Sequence, residues 1–299
     1  MGAAIPRVVV VTRPTVYEHL LRTHGTTQQA RFVLESRGRS MDEVLAWHRR
    51  FDDALRQVMG ALPLEWRRSR VDRSDLDRFL FEPDDTVVVV GQDGLVANVA
   101  KYLDGQPVVG INPMPGFFDG VLVPHAPHDA RRLLPAAMHR EATVQQRTMV
   151  QVELDDGQRL VALNELFVGH RTHQSARYRL RVGEAEERQS SSGLIVATGT
   201  GATGWARSIV GQRRAPPPVP APEDPWLAYL VREPFPSQAT GTTLDAGAVT
   251  PDAPLKVISE LDDDGVVFGD GIEADRLAFA WGATATITPA RQRLALVTG

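Results

Sequence analysis

The chain of 299 residues has an ordinary globular composition, with 42% hydrophobic and 23% charged residues, and it is long enough for two domains. Its formal net charge of −4 argues against a dedicated nucleic-acid-binding protein, whose contact surface would be basic. The absence of cysteine excludes disulfides, thiolate nucleophiles and cysteine-ligated zinc, and it favours a cytoplasmic protein.

The N-terminal region predicts a strand followed by helices. The apolar run in MGAAIPRVVVVT is too short for a signal peptide or a membrane span, so we expect no membrane association and a strand at residues 7–12. Residues 42–62 carry apolar side chains at helical spacing, which predicts a helix with one face in the core. This apolar stripe comprises Val44, Leu45, Trp47, Phe51, Leu55, Val58 and Met59.

Strands and helices are predicted to alternate up to about residue 124. Residues 63–80 predict a short strand and a further helix. The unbroken run TVVVV at residues 86–90 is typical of a strand covered on both faces, and residues 106–124 predict another strand and then a loop rich in proline and glycine. This alternation predicts a parallel, doubly wound, Rossmann-like sheet.

The first candidate site is the stretch GQDGL, which follows the strand at residues 86–90. Ligands bind beyond the carboxyl ends of parallel strands, and the amides that open a helix favour anions. Gly91 and Gly94 would therefore let the main chain approach a phosphate, with Asp93 beside it. The alternative is a plain turn in which Asp93 caps the helix. The chain has no G-x-x-x-x-G-K-[ST] loop, so amides, arginines or a metal would have to hold the phosphate.

Beyond about residue 140 the sequence changes to strand-like alternation. Residues 147–169 alternate around an Asp156-Gly157 turn, which predicts a hairpin. Residues 213–226 form a proline-rich connection that we expect to be exposed. The change in period predicts an α/β domain at residues 1–135 and a β-rich domain at residues 136–299, with the C-terminal tail packing back on the first domain.

Three motifs together resemble the NAD kinase family, most closely its mitochondrial type. GQDGL, ALNE and SSGLIVATGTGATGW occur in this order, and the resemblance also covers VREPFP and GDGIEADRLAF. It implies an NAD kinase-like fold and a phosphotransferase that moves the γ-phosphoryl of ATP, with Mg²⁺, to the 2′-hydroxyl of the adenosine ribose of NAD. The substrates are then NAD and ATP, and a homodimer or larger homo-oligomer is expected.

The resemblance also assigns roles to individual residues. Asp93 occupies the position of the aspartate in the family's Gly-Gly-Asp-Gly-Thr motif and is the candidate catalytic base. The family's late Asp-Gly position matches Asp270 and Gly271, although DDDGVVFGDG allows a second register. The phosphate loop is assigned to Gly91, Gln92, Gly94, Leu95 and Asn112. The NAD site is assigned to Asn164, Glu165, Ser192, Thr198, Thr200, Gly201 and Thr203.

The chain departs from the family motif at Gln92 and Leu95, which stand where the motif has glycine and threonine. Gln92 places a side chain where glycine permits close phosphate approach or a positive φ, and Leu95 removes a hydroxyl. The sequence therefore predicts an altered donor site that the family residues would improve. Three hypotheses remain, namely an NAD kinase, a kinase of the same superfamily for another nucleoside, sugar or lipid, and a non-catalytic NAD sensor. No metal-ligand set is predicted, because His170 and His173 lack a third partner.

Overall fold

A computed structural model of the chain describes residues 7–117 and 119–299. The chain forms two compact units. The N-terminal unit comprises the residues up to Gln145 together with Ala295–Gly299, and the C-terminal unit comprises Gln146–Leu294. The boundary predicted between residues 135 and 136 falls inside the helix Ala130–Met138.

The N-terminal unit is built from parallel strands and helices, as the alternating pattern predicts. Its strands are β1 (Arg7–Thr12), β2 (Arg67–Asp72), β3 (Thr86–Val90) and β4 (Pro107–Ile111). Its helices are α1 (Val16–His24), α2 (Thr27–Glu35), α3 (Met41–Gly60), α4 (Asp93–Ala100) and α5 (Ala130–Met138).

The strand order in this unit is β2-β1-β3-β4, with all neighbours parallel. The chain leaves β1 on one side to form β2 and returns on the other side to form β3, so the topological switch point lies between β1 and β3. The valines of β1 and β3 are fully buried, and one face of the sheet packs against apolar residues of α3 and α5. Coverage on both faces explains why these strands lack polar alternation.

Helix α3 confirms the predicted helix, with one difference in its apolar stripe. Val44, Phe51, Leu55 and Val58 are buried, whereas Trp47 keeps 36% of its surface exposed. The indole lies on the outer part of the helix face, in the wall of a cavity described below, and not in the core.

The helix predicted within residues 63–80 does not form. After β2 the chain makes only a 3₁₀ turn, Arg73–Asp75. Leu76 is the residue that this segment buries, while its polar neighbours remain exposed. A helix this short is marginal in water unless an apolar face packs against the protein, and here Leu76 is buried whereas Leu80, one helical turn further on, is 82% exposed.

The C-terminal unit is β-rich, in agreement with the predicted change of period. Its strands include β5 (Val144–Leu154), β6 (Arg159–Ala162), β7 (Glu165–His170), β8 (Ala176–Val182), β9 (Ala185–Ser191) and β10 (Leu194–Ala197). They continue with β11 (Leu227–Val231), β12 (Ala246–Val249), β13 (Leu255–Ser259), β14 (Gly265–Gly269), β15 (Ile272–Ala278) and β16 (Thr284–Val297). Helix α6 spans Trp205–Gly211.

Antiparallel sheets enclose the core of this unit. One sheet has the order β12-β11-β10-β7-β14-β15, and β9, β8, β13, β16, β5 and β6 pair in the other. Alternate side chains of β7 point to opposite faces, since Leu166 and Val168 join the main core while Phe167 joins a second cluster beside α6. No helix within residues 7–117 and 119–299 has the length and hydropathy needed to cross a membrane.

Candidate functional site

A cavity of about 980 Å³ opens in the N-terminal unit at the carboxyl ends of its strands. Arg13 directly follows β1, Asp72 ends β2, Gly91 directly follows β3, and Pro113 lies just beyond β4, and all four residues line the cavity. This is where open α/β sheets bind ligands, at the carboxyl ends of the strands and beside a switch point.

The wall of the cavity carries more positive than negative side chains. Four arginines face two carboxylates, those of Glu43 and Asp72, although the whole chain has a net charge of −4. None of these four arginines forms an ion pair with another of the residues that the structure describes. The arginines are Arg13, Arg22, Arg39 and Arg73. An excess of arginine in a concave site favours an anionic ligand, and the guanidinium group suits phosphate in particular.

Helix α3 supplies the aromatic part of the wall. Trp47 and His48 line the cavity, and the ring of Trp47 meets that of Phe117 edge-on at a centroid distance of 5.1 Å. His48 Nδ1 lies 2.9 Å from Thr15 Oγ1, and Nε2 lies 3.3 Å from the carboxylate of Asp52. These contacts fix the imidazole. The cavity therefore combines a polar, arginine-rich side with an aromatic side, which suits a ligand with both charged and ring-shaped parts.

Gln92 fits its position without backbone strain. Its φ of −113° and ψ of 165° are extended values that any residue adopts, so glycine is not required here. The Gln92 side chain lines the cavity, and its Oε1 accepts a hydrogen bond of 2.8 Å from Arg13 Nη2. This position therefore does not use a positive φ, and Gln92 contacts one of the cavity arginines.

Leu95 packs inside the protein. It is 3% exposed, and a Cβ placed on Gly91 would lie 3.1 Å from its Cδ2, so Leu95 fills the space against the glycine. Of the residues predicted to form the phosphate loop, Gly91 and Gln92 line the cavity, whereas Gly94, Leu95 and Asn112 are not part of its wall. Asn112 is buried, and its Oδ1 accepts from Met114 N at 2.9 Å.

Asp93 anchors the loop that follows β4. Its Oδ1 accepts from the amides of Leu122 at 2.9 Å and Val123 at 3.2 Å, and its Oδ2 accepts from the amide of Val121 at 3.0 Å. A carboxylate has about four acceptor sites in total, so these bonds leave Oδ2 with room for one further donor. Asp93 thus has a structural role in addition to the catalytic role that the motif implies.

A second group of predicted residues meets in the C-terminal unit, where β7 begins and β10 ends. The pairing of Glu165 with Ala197 places Asn164 beside Thr198, whose amide donates to Asn164 O at 2.9 Å. Gly201 approaches the same turn so closely that a Cβ on it would lie 2.1 Å from Asn164 O. Only glycine fits there, which ties the Gly/Thr-rich loop to the Asn-Glu pair.

The hydroxyl of Thr198 is fully used within the protein. It donates to Leu163 O at 2.6 Å and accepts from the amides of Thr200 at 3.1 Å and Gly201 at 3.2 Å. Thr203 Oγ1 donates to Thr200 O at 2.9 Å. These threonines therefore shape the loop through their own hydrogen bonds, and Thr198 has no remaining proton to offer a ligand.

The carboxylate of Asp270 also supports this turn, while the match of Asp270 to the family's late Asp-Gly position stays a prediction. Its carboxylate accepts from Leu163 N at 3.0 Å and from Asn164 N at 2.7 Å. Glu165 is 8% exposed, and its burial, together with the nearby charge of Asp270, raises its pKa to about 7. Neither the Asn164 amide nor the Glu165 carboxyl bonds to another described side chain or main-chain group, so both are available to a ligand.

Ser192 is not brought to this group. It precedes β10, whose first residue, Leu194, pairs with Val168, whereas the Asn-Glu turn lies at the other end of that strand. The side chain of Ser192 is exposed there. Within residues 7–117 and 119–299, no three His, Asp or Glu side chains are placed to hold a metal ion.

Sequence reasoning overlooked the arginine and aromatic residues of the cavity. Arg13 carried a usable signal, because it directly follows the first buried strand just as Gly91 follows β3. Thr15 and Glu18 carried another, since the T-x-x-E spacing forms a capping box that starts α1 beside the cavity. Trp47 offered no such signal, because its helical spacing is also that of a core residue.

Comparison with known proteins relates both the sequence and the fold to NAD kinases. No family model matches the chain. NAD kinases of Rickettsia bellii, Rickettsia africae and Rickettsia conorii are each 28% identical to it over 137 residues, covering 44% of this chain. The chain spans about half the length of these curated relatives, since the match covers 51% of each.

Solved structures give a similarity over nearly the whole chain. An NAD kinase from Archaeoglobus fulgidus in complex with ATP has a TM-score of 0.62 at 21% identity, covering 98% of this chain and 93% of its own. Yeast NADH kinase complexed with NADH has a TM-score of 0.61 at 13% identity, covering 99% of this chain and 84% of its own.

The fold is therefore a two-unit architecture, in which a parallel α/β unit is followed by a β-rich unit. More specifically, it is the NAD kinase fold, as predicted. The resemblance to the NAD kinase family that the motifs indicate is confirmed by sequence relatives and by structure. The particular likeness to mitochondrial-type enzymes stays a prediction.

Proposed function

We propose that the protein is an NAD kinase, which transfers the γ-phosphoryl group of ATP to the 2′-hydroxyl of the adenosine ribose of NAD and forms NADP. The observation that carries this proposal is the arginine-rich cavity at the carboxyl ends of β1 and β3, next to the Gly91-Gln92-Asp93-Gly94 stretch. ATP combines a polyanion with an aromatic base, which matches the two sides of this cavity. The sequence relatives and the ATP-bound structural relative support the same assignment.

In this proposal the cavity holds the phosphoryl donor. The cationic wall, which includes Arg13, Arg22 and Arg73, neutralises phosphate charge, and Trp47 contributes an aromatic side chain to the same cavity. Phosphoryl transfer requires positioning and charge neutralisation more than covalent chemistry from the protein. Mg²⁺ would be supplied as part of the MgATP substrate, where it neutralises phosphate charge.

Asp93 is the proposed general base. Three loop amides hold its carboxylate in one orientation, and Oδ2 retains an acceptor site for the proton of the attacking hydroxyl. A base fixed in this way loses little freedom when the substrate binds.

The acceptor site is proposed at the Asn164-Glu165 turn of the C-terminal unit. An amide and a carboxyl group offer both donors and acceptors, which suits the edge of adenine and the hydroxyls of ribose. The loop from Thr198 to Gly201 and the carboxylate of Asp270 hold this turn in place. The predicted homo-oligomer and the cytoplasmic location stay predictions.

The test is a direct assay with ATP, Mg²⁺ and NAD, in which the product is identified as NADP by its 2′-phosphate. Calorimetry with ATP alone then locates the donor. Arg22→Glu should weaken ATP binding about tenfold or more, because it reverses a charge in the cavity wall. Arg131→Glu is the matched control, since Arg131 is exposed on α5 outside the cavity.

Three other outcomes would each change the conclusion. Phosphorylation of a nucleoside, sugar or lipid in place of NAD would indicate a related kinase. Binding of NAD and ATP with no product would leave a non-catalytic sensor. Equal ATP affinity of Arg22→Glu and Arg131→Glu would show that ATP does not bind in this cavity.

A further inference from the structure

The hydrogen bond between Arg13 and Gln92 crosses the topological switch point of the N-terminal sheet. Arg13 directly follows β1, and Gln92 follows β3 by two residues, so the bond of 2.8 Å joins the ends of the two strands between which the switch point lies. Both side chains line the cavity. The bond therefore lies where an incoming anion would meet the protein.

We propose that Gln92 is a positioning residue, which holds the Arg13 guanidinium toward the phosphates of the donor while leaving its positive charge uncancelled. This inference rests on the proposed function, because it takes the cavity ligand to be a nucleoside triphosphate. It also gives a functional reason for glutamine at position 92, where the family motif has glycine.

The chemistry of the partner is the first argument. Gln92 offers a neutral amide oxygen, which occupies one of the five guanidinium N–H groups and removes no charge. Among the described residues, Arg13 forms no ion pair with a carboxylate. A carboxylate at the position of Gln92 would hold the guanidinium more tightly, but it would also offset the charge that attracts phosphate.

The other end of β1 provides a contrast within the same strand. Arg7 begins β1, and its guanidinium is bound by Asp85 at 2.6 Å and by Glu82 at 3.1 Å, an arrangement that raises its pKa. That arginine is neutralised by its carboxylate partners and serves the structure. Arg13, at the end of the strand where ligands bind, is instead oriented by a neutral group.

The backbone is the second argument. Gln92 has extended dihedral angles and caps α4 without a side-chain hydrogen bond to the helix, so its side chain is not needed for the helix start. Among the described residues, this side chain forms a hydrogen bond with Arg13. The side chain can therefore be changed with little effect on the loop itself.

The experiment compares Gln92→Met, Gln92→Glu, Arg13→Ala and the double variant Arg13→Ala/Gln92→Met. Methionine keeps the length of glutamine and removes the acceptor oxygen. Gln92→Met should raise both the KM and the Kd for MgATP about three- to tenfold, the usual effect of losing one hydrogen bond, with kcat and the KM for NAD within about twofold. In the Arg13→Ala background the same change should have no further effect.

Gln92→Glu separates positioning from simple packing. An ion pair with Arg13 should preserve or increase thermal stability, yet MgATP binding should weaken about as much as in Gln92→Met or more, because the charge of Arg13 is offset. A residue with only a packing role would instead give wild-type MgATP affinity in Gln92→Met, which keeps the length of the side chain and adds no charge.

The failures can be told apart. If the wild-type protein does not bind MgATP by calorimetry, the proposed function fails. If it binds MgATP and Gln92→Met binds it equally well, or if the Gln92→Met effect persists unchanged without Arg13, only the positioning role of Gln92 is overturned.

Discussion

Asp93 has a proposed catalytic role and a structural role, and turnover and stability measure these two roles separately. Its carboxylate accepts three loop amides, and an asparagine would have to turn its NH₂ group toward at least one of these donors. Asp93→Asn should therefore lower the free energy of unfolding by about 1–3 kcal/mol. Turnover of the folded variant should fall by roughly two to four decades.

Asp119→Asn is the matched control, because Asp119 is an exposed aspartate of the same loop. It should leave stability and turnover near those of the wild type. Urea unfolding and kcat measured well below the unfolding transition give the two readouts. If folded Asp93→Asn keeps wild-type turnover, Asp93 is not the general base. If its stability is unchanged, the three hydrogen bonds of Asp93 do not stabilise the loop.

Glu165 links the folded state to pH through its burial. Its pKa of about 7 lies above the usual 4.5, so between these values the folded chain holds a proton that the unfolded chain has released. This contribution to the free energy of unfolding is fully present below pH 4.5 and is lost as the pH rises to about 7. Glu165→Gln, which stays neutral, should match the wild type at pH 4.5 and exceed it at pH 8 by up to about 3 kcal/mol.

Denaturant unfolding at pH 4.5, 6 and 8 tests this difference. Glu184→Gln removes an exposed glutamate of the same unit and should show no such trend with pH. A difference between Glu165→Gln and the wild type that stays constant from pH 4.5 to 8 would contradict a raised pKa at Glu165.

Individual site residues were predictable where a motif names them and not where the contact depends on strand order. The motifs GQDGL, ALNE and TGTGATG name Asp93, Asn164 and Gly201 through their resemblance to the NAD kinase family, and the structure gives each a defined environment. Arg13 was missed because it meets Gln92 only when β1 and β3 lie side by side, a property of the whole sheet. Ser192 is assigned to the NAD site by resemblance alone, whereas β10 separates it from the Asn-Glu turn in space.

At the scale of elements, helix α4 explains why the two departures from the family motif differ in effect. The side chain of Gln92 precedes the helix and lines the cavity, whereas Leu95 lies in the first turn and faces the interior. Within the same short motif, the side chain of Gln92 can contact a ligand, whereas that of Leu95 packs in the interior.

Replacing Leu95 by the family's threonine should harm the protein and leave ATP use no better. The change removes buried apolar surface against Gly91 and buries a hydroxyl, so Leu95→Thr should lower the free energy of unfolding by about 1–3 kcal/mol. The Kd for MgATP should not improve, because Leu95 is not part of the cavity wall. This reverses the expectation drawn from the sequence.

Leu95→Met conserves volume and serves as the control, with an expected loss below about 1.5 kcal/mol. Thermal unfolding and calorimetry with MgATP give both quantities for each variant. Tighter MgATP binding by Leu95→Thr would restore the original expectation and place this side chain near the donor.

Whole strands were easier to predict than short helices. Residues 8–11 and 87–90 are uninterrupted runs of valine, a pattern that a strand covered on both faces explains well at this length. The segment after β2 buries Leu76 but leaves Leu80 exposed, so no helical face packs against the protein there, and tertiary packing decides such short segments. The change of period near residue 140 was visible because alternation persists over several strands.

At the scale of the molecule, the distribution of charge indicates more about ligand binding than the net charge does. The net charge of −4 argues against a dedicated nucleic-acid-binding protein, while the cavity wall still contains Arg13, Arg22, Arg39 and Arg73. Composition alone predicted the absence of a nucleic-acid surface. It could not predict a local cationic site, because residues from α1, α3 and the ends of several strands build it.

The last residues of the chain complete the unit that contains this cavity. Leu296 and Val297 are fully buried, Ala295 and Leu296 pair with β4, and His125 Nε2 lies 2.9 Å from Val297 O. Deleting residues 295–299 removes the buried side chains of Leu296 and Val297 and leaves one edge of β4 without its partner strand. At about 1.5–3 kcal/mol for each buried side chain, the loss should reach about 3–6 kcal/mol, a large part of the stability of an ordinary domain.

We therefore expect the deletion to impair the N-terminal unit first. Limited proteolysis should cut within residues 7–145 at a temperature where the wild type resists, and MgATP binding should be lost before the β-rich unit unfolds. Thr298→Ala is the control, because it removes only an exposed hydroxyl contact of 3.4 Å with Thr143 O and should leave both properties near those of the wild type. Unchanged protease resistance and MgATP affinity in the deletion variant would show that Leu296 and Val297 contribute little to this unit, since no other part of the change could offset the loss of their buried surface.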